Sequence, residues 1–345
     1  MDTSRVLSAL VLALASIALP APSPVEPIGA LLDAFKTYDV VGLSPGETHG
    51  DLRGPAFVAS LIRDPRFATT AVDVVMENAS ARYQEVMDRF VGGEEVPYTD
   101  LRRVWDDTTQ PQAMTAPGEI PEIYRALRDV NRTLPAARRH RALLGDPPIA
   151  WEQVATADDF RKWLELRDSS GADVVRREAI ARGRQALLAY GAGHLQRRQQ
   201  ATNYVMTSPL AQTVVSLLVA AGIRTLVVTT VGERDDTRAW PSPSLAFIRG
   251  TTIGAEDVPQ GSLPRVAIRD GAFVPIPRDA WIEIRMEEQY DALLYLGPAS
   301  TRRMAALPPA ICSDPAYVDT RLRRMALGGL PPSEAARLKA LCGVK

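Results

Sequence analysis

The chain is poor in the residues that most often announce a function. Its 345 residues include three histidines, two cysteines and only four lysines (Lys36, Lys162, Lys339, Lys345) among 40 basic side chains. Two cysteines are too few for a multi-cysteine zinc site or a disulfide scaffold, so Cys312 and Cys342 are either a mutual pair or two free thiols. Neither sign of charge is in excess: 40 Lys and Arg face 41 Asp and Glu, a net charge of −1. Without a basic field to gather phosphates, nucleic acid is not the expected partner. The preference for arginine over lysine is a bias of the kind a GC-rich genome produces, and no function is read from it.

Long apolar runs are also missing. The longest, Val6 to Leu19 behind Arg5, is too short to span a bilayer and has the length of a signal h-region. The expectation is therefore an exported protein, periplasmic or extracellular, with a signal peptide within residues 1–22 cleaved after Ala15 or Ala18. Pro20, Pro22, Pro24 and Pro27 then form an extended leader. A composition of 46% hydrophobic and 23% charged residues excludes wholesale disorder, and residues 23–345 read as a single α/β domain with its core in 38–300. Several motifs are absent: Gly-x-x-x-x-Gly-Lys-Ser/Thr, Gly-x-Gly-x-x-Gly after the first strand, His-Glu-x-x-His and Gly-x-Ser-x-Gly. Nucleotide-loop chemistry, zincin proteolysis and the serine-hydrolase elbow thus lack support.

What is present is an alternation of helical patterns with short β-rich runs, the signature of βαβ units. Five runs stand out, at 39–43, 71–76, 141–145, 185–190 and 224–230. Amphipathic helices are predicted over about 52–63, 80–91, 119–131, 172–183 and 208–221. Insertions at 93–138 and 146–170, carrying Trp105, Trp151 and Trp163, read as helical excursions above the sheet. Beyond 232 the texture turns Pro- and Gly-punctuated, with added strands at 244–249, 265–269 and 291–296. The predicted fold is a three-layer α/β arrangement: a mainly parallel sheet flanked by helices, with helical insertions and a loop-rich C-terminal part.

In such a sheet all strand C-termini share one edge, and ligands bind there. The segments that follow the five runs place Glu47 and His49 (in Gly46-Glu-Thr-His-Gly50), Glu77, Asp146, and His194 (in Gly191-Ala-Gly-His194) along it. Imidazole titrates near neutral pH and suits proton transfer, although each histidine turn is also compatible with simple backbone hydrogen bonding. Glu77 leaves the apolar run Val74-Val-Met76, as a base-orienting carboxylate, a general acid, or a cap on backbone amides. Arg53, Trp105 and Asp146 are candidate substrate contacts, while His140, flanked by Arg138, Arg139 and Arg141, reads as surface.

These residues resemble a known superfamily, the erythromycin esterase-like, haem-uptake ChaN-like and Tiki/TraB-like proteins. The resemblance rests on Gly46-Glu47-Thr48-His49, Glu77, the following Gln84, Asp88 and Gly93-Glu94, and Gly191-Ala-Gly-His194. It implies a three-layer α/β fold whose histidines and glutamates line one cleft. In the esterase branch a histidine activates water against an ester; the Tiki branch supports metal-dependent peptide cleavage; the haem-uptake branch binds tetrapyrrole. The chain departs from them in the insertion holding Trp105 and in Gly145-Asp-Pro-Pro-Ile149, and from the haem-uptake branch in lacking a lipidation cysteine. The expected function is hydrolysis of an ester or related acyl bond of a small molecule, with His49 as base, Glu47 or Glu77 orienting it, and His194 as second proton carrier or oxyanion donor. The alternative is a protein that binds haem or another small ligand in the same cleft without turnover. A divalent metal stays open, and if present it falls to His49, Glu77 and His194.

Overall fold

The computed structural model describes residues 18–46, 50–110, 120–198, 212–260, 266–269, 272–275, 279, 282–304, 312, 314–330 and 332–342. Glu47 and His49 lie outside them. The strands are β1 (Val40–Leu43), β2 (Val72–Ser80), β3 (Ala142–Asp146), β4 (Gln185–Ala189), β5 (Thr225–Val231), β6 (Ser244–Phe247), β7 (Asp257–Pro259), β8 (Val266–Arg269), β9 (Ala272–Pro275), β10 (Glu283–Arg285) and β11 (Ala292–Tyr295). Seven form one sheet in the order β3-β2-β4-β1-β5-β11-β6, parallel throughout except that β6 runs antiparallel to β11. The five predicted strands are β1 to β5. The predicted late strand at 291–296 is β11, which joins the same sheet beside β5.

Both faces of the sheet are buried, which is why its strands read as continuous apolar runs rather than as alternations. Alternate residues nevertheless serve different layers. Val41, Leu43, Val74, Leu144, Leu187 and Val228 pack with helices Arg53–Arg63, Gln84–Gly92 and Glu122–Asn131. Val40, Val75, Leu143, Leu188 and Val227 pack on the other face with Ala172, Val175, Val214 and Leu218 from helices that include Arg167–Val174 and Val214–Ala220. The result is an α/β sandwich of three layers. Among the described residues no helix is long and apolar enough to cross a membrane.

Three expectations are corrected. β2 does not stop at Met76 but continues to Ser80, with a register irregularity against β3 between Met76 and Ser80; a bulge of this kind re-aims side chains, and Glu77 sits in it. The helix predicted over 172–183 begins earlier, at Arg167, and passes through a π turn at Val175–Ala179. His140 is not at the surface: it is 1% exposed, its ring 4.6 Å from that of Phe67, with Nδ1–H donating to the Val72 carbonyl at 2.7 Å. The flanking arginines misled because they too turn inward, Arg139 to the Gly92 carbonyl and Arg141 to Asp73.

Cys312 and Cys342 form a disulfide. It joins the start and end of a helical hairpin made by Pro315–Leu327 and Pro332–Leu341.

Candidate functional site

Parallel pairing of β2, β4 and β1 brings three strand exits side by side. β4 ends at Ala189, and the helical turn Ala192–Leu195 begins two residues after Tyr190, with Gly191 as its cap. The Gly191 N–H donates to Glu77 Oε2 at 2.5 Å. A Cβ at position 191 would stand 3.2 Å from that oxygen, so glycine permits the close approach. The bulge in β2 and the glycine after β4 together bring Glu77 to His194, whose Nε2 lies 3.4 Å from Glu77 Oε1.

The opposite ring nitrogen is held. His194 Nδ1 is 2.8 Å from Asp168 Oδ1, and because a carboxylate oxygen only accepts, Nδ1 carries the hydrogen. Asp168 lies in the first turn of helix Arg167–Val174, and the same oxygen accepts the Val214 N–H at 2.9 Å, one of the otherwise unpaired amides that open helix Val214–Ala220. Asp168 therefore fixes both the tautomer and the ring direction, leaving Nε2 toward Glu77. Burial disfavours the imidazolium, but the Asp168 and Glu77 carboxylates outweigh it, and the His194 pKa is raised above its ordinary value.

Glu77 Oε1 also accepts from Arg167 Nη2 at 2.8 Å and from Gln110 Nε2 at 2.6 Å. Asp146, at the end of β3, accepts from Thr109 twice: the N–H reaches Oδ2 at 2.7 Å and the hydroxyl reaches Oδ1 at 2.5 Å. Arg167 Nε is 3.8 Å from Asp146 Oδ1. Burial pushes the Asp146 pKa up to about 6, against the opposing pull of Arg167 and the Thr109 hydrogen bonds. The Tyr190 hydroxyl completes the floor. Among the described residues it has no hydrogen-bond partner, and it is wedged between Gly145 and Gly171, where added Cβ atoms would fall 1.8 Å and 2.5 Å from it. Burial, reinforced by Glu77, Asp168 and Asp146, holds its pKa far above the ordinary value, so it stays protonated.

The structure thus brings together three sequence-predicted residues, Glu77, Asp146 and His194. The Arg53 guanidinium is engaged with its own surroundings: it pairs with Asp51 at 2.7 Å and donates to the Gly297 and Pro298 carbonyls, tying a helix start to the loop after β11. Trp105 is a core residue, 3% exposed and stacked on Tyr124 with centroids 6.1 Å apart, and not a wall of the cleft. Five contributors escaped the sequence reading: Asp168, Arg167, Gln110, Thr109 and Tyr190. An acid in the first turn of a helix was the available signal for Asp168, hidden because 146–170 read as an excursion. Among the described residues no group of three or more His, Cys, Asp or Glu side chains is arranged to hold a metal ion.

No protein-family model matches the sequence, and no curated protein matches it. Solved structures do. A succinoglycan biosynthesis protein superposes with a TM-score of 0.53 at 8% identity, over 81% of this chain and 94% of its own. A Bacillus cereus protein gives 0.50 at 11% identity, over 83% and 97%. An erythromycin esterase, EreC, in its open conformation gives 0.47 at 12% identity, over 81% and 94%. The first two share this chain's fold, which is the α/β fold that the sequence resemblance implied.

Proposed function

We propose that this protein hydrolyses an ester or related acyl bond of a small molecule at the cleft of Glu77 and His194. The observation that carries the reading is one imidazole held between two carboxylates at the C-terminal edge of a parallel sheet. Asp168 orients the ring, Glu77 faces the nitrogen left over, and the two carboxylates raise the pKa of the imidazole, which favours a proton on Nε2. Such a group donates its proton to a departing alkoxide or stabilises a forming oxyanion. His49 is the proposed base that takes a proton from water. Its segment follows β1, and β1 pairs with β4, whose exit carries His194. A positioned acid or base contributes on the order of 10²–10⁴ in rate.

The Cys312–Cys342 disulfide supports an oxidising compartment and hence export.

The test is hydrolysis of a panel of activated esters by the full chain, with and without chelator, beside His49→Ala. Turnover by the wild type that disappears in the variant is the expected result, and the chelator arm reports whether a divalent cation takes part. No turnover on any ester, or full turnover in His49→Ala, would overturn the respective assignment.

A further inference from the structure

The two side chains that reach Glu77 and Asp146 from above, Gln110 and Thr109, do not come from a strand or a long helix. They come from the stretch that follows the single helical turn Arg103–Asp106. A short irregular segment needs something to hold it in register, and here that is the distant C-terminal hairpin. Arg321, 2% exposed, donates through Nη2 to Asp106 Oδ1 at 2.9 Å. Arg324 grips two successive residues: Nη1 donates to the Asp106 carbonyl at 2.8 Å and Nη2 to Asp107 Oδ1 at 2.7 Å. Arg102 closes the other side of Asp106 at 2.6 Å, and the Tyr83 hydroxyl donates to Asp107 Oδ2 at 2.8 Å. One residue on, the Thr108 carbonyl accepts from Trp151 Nε1 at 3.1 Å, with the Arg324 guanidinium 4.5 Å over the same indole. The next two residues are Thr109, on Asp146, and Gln110, on Glu77.

We infer that Arg321 and Arg324 are positioning residues for the reaction, acting through Asp106 and Asp107 on the segment that delivers Thr109 and Gln110 to the cleft. The hydrogen bonds of both arginines go to backbone or carboxylate of that segment, so their effect on chemistry passes through it. Displacing Gln110 takes a neutral donor from Glu77 Oε1 and changes how that carboxylate meets His194. A misplacement near 1 Å from a distant change costs about 100-fold in rate where geometry governs the step. The inference rests on the proposed role of Glu77.

The experiment compares Arg324→Ala, Arg324→Lys and Arg321→Ala with Arg323→Ala. Arg323 sits on the same helix but donates to the Val154 carbonyl instead. Each is read twice, by steady-state ester hydrolysis and by the side-chain amide resonance of Gln110 in isotope-labelled full chain, assigned with Gln110→Glu. The expected result is a kcat lowered by roughly 10- to 100-fold in Arg324→Ala with KM changed less, partial rescue in Arg324→Lys, and a displaced Gln110 resonance. Arg323→Ala is expected to leave both readouts at wild type. Wild-type kcat and an unmoved Gln110 resonance in folded Arg324→Ala and Arg321→Ala would overturn the inference, as would an equal loss in Arg323→Ala. Should Arg324→Ala not fold, Arg324→Lys decides by the same two signs. Should the wild type hydrolyse no ester, the proposed function fails, and the Gln110 resonance alone decides the clamp.

Discussion

The two ends of β2, β3 and β4 carry buried charge in opposite ways. At their N-terminal end Asp73, 0% exposed, accepts five hydrogen bonds, three from Arg141 and two from Arg184. At the C-terminal end, among the described residues, Glu77, Asp146 and Asp168 meet Arg167, His194 and the neutral donors Gln110 and Thr109. Each end also buries a histidine, and the two behave oppositely. Burial pushes the His140 pKa down, with Arg184 and Arg138 adding to the effect beyond what Val72 and Asp73 return. His194 meets the same penalty and is raised, because its neighbours are carboxylates. Burial sets the penalty; the sign of the neighbouring charge decides whether the imidazole pKa moves down or up.

The sharpest way to break this contrast is to remove each histidine. His194→Ala is expected to lower ester turnover by about 10²–10⁴-fold in a protein that still melts cooperatively; wild-type turnover would end the distinction. Next is Asp73→Ala, which leaves two arginines around a missing carboxylate and is expected to cost about 3–5 kcal/mol in denaturant unfolding, with turnover per folded molecule unchanged. A loss of turnover without a loss of stability would reverse the roles of the two ends. Asp146→Asn probes the cleft end by pH. The folded pKa of about 6 exceeds the ordinary carboxylate value, so wild-type Asp146 favours the folded state at low pH and that contribution is lost as pH rises through about 6. The variant should therefore gain stability relative to wild type between pH 4 and pH 8, by at most about 3 kcal/mol. Parallel stability curves would show that the carboxyl is not perturbed. The smallest effect is expected for His140→Leu. A depressed imidazole stabilises above its ordinary pKa and ceases to as pH falls, so the variant should lose less stability than wild type on going from pH 7 to pH 5.

Much of the fold was legible because the sheet is covered on both faces: β1 to β5 are short apolar runs bounded by turns, and the late run at 291–296 needed a sheet to join. The site was legible only where it follows a strand directly, as at Glu77, Asp146 and His194. Asp168 was not, since Leu166-Arg-Asp-Ser-Ser-Gly171 has the composition of a polar loop, and only the packing of its helix beside β4's exit turns it toward His194. Gln110 and Thr109 were invisible for a related reason: the clamp that aims them lies more than 200 residues downstream. Trp105 was misread because an aromatic in an insertion looks the same in sequence whether it faces a ligand or, as here, Tyr124.

The wedge of Tyr190 between two glycines has a consequence for how this sequence can change over time. With the hydroxyl in place, a side chain at Gly145 collides at 1.8 Å and one at Gly171 at 2.5 Å. If the phenol is first replaced by Phe, a Cβ at 145 still meets the ring carbon at 3.0 Å and the Met76 carbonyl at 3.1 Å, and one at 171 meets Val214 at 3.1 Å and the ring carbon at 3.2 Å, tight contacts that call for a small shift. The order of substitution is thereby set: position 190 must change before 145 or 171 is free to. Descendants that keep the tyrosine should keep both glycines, and lineages that have lost it should be where alanine first enters at either place.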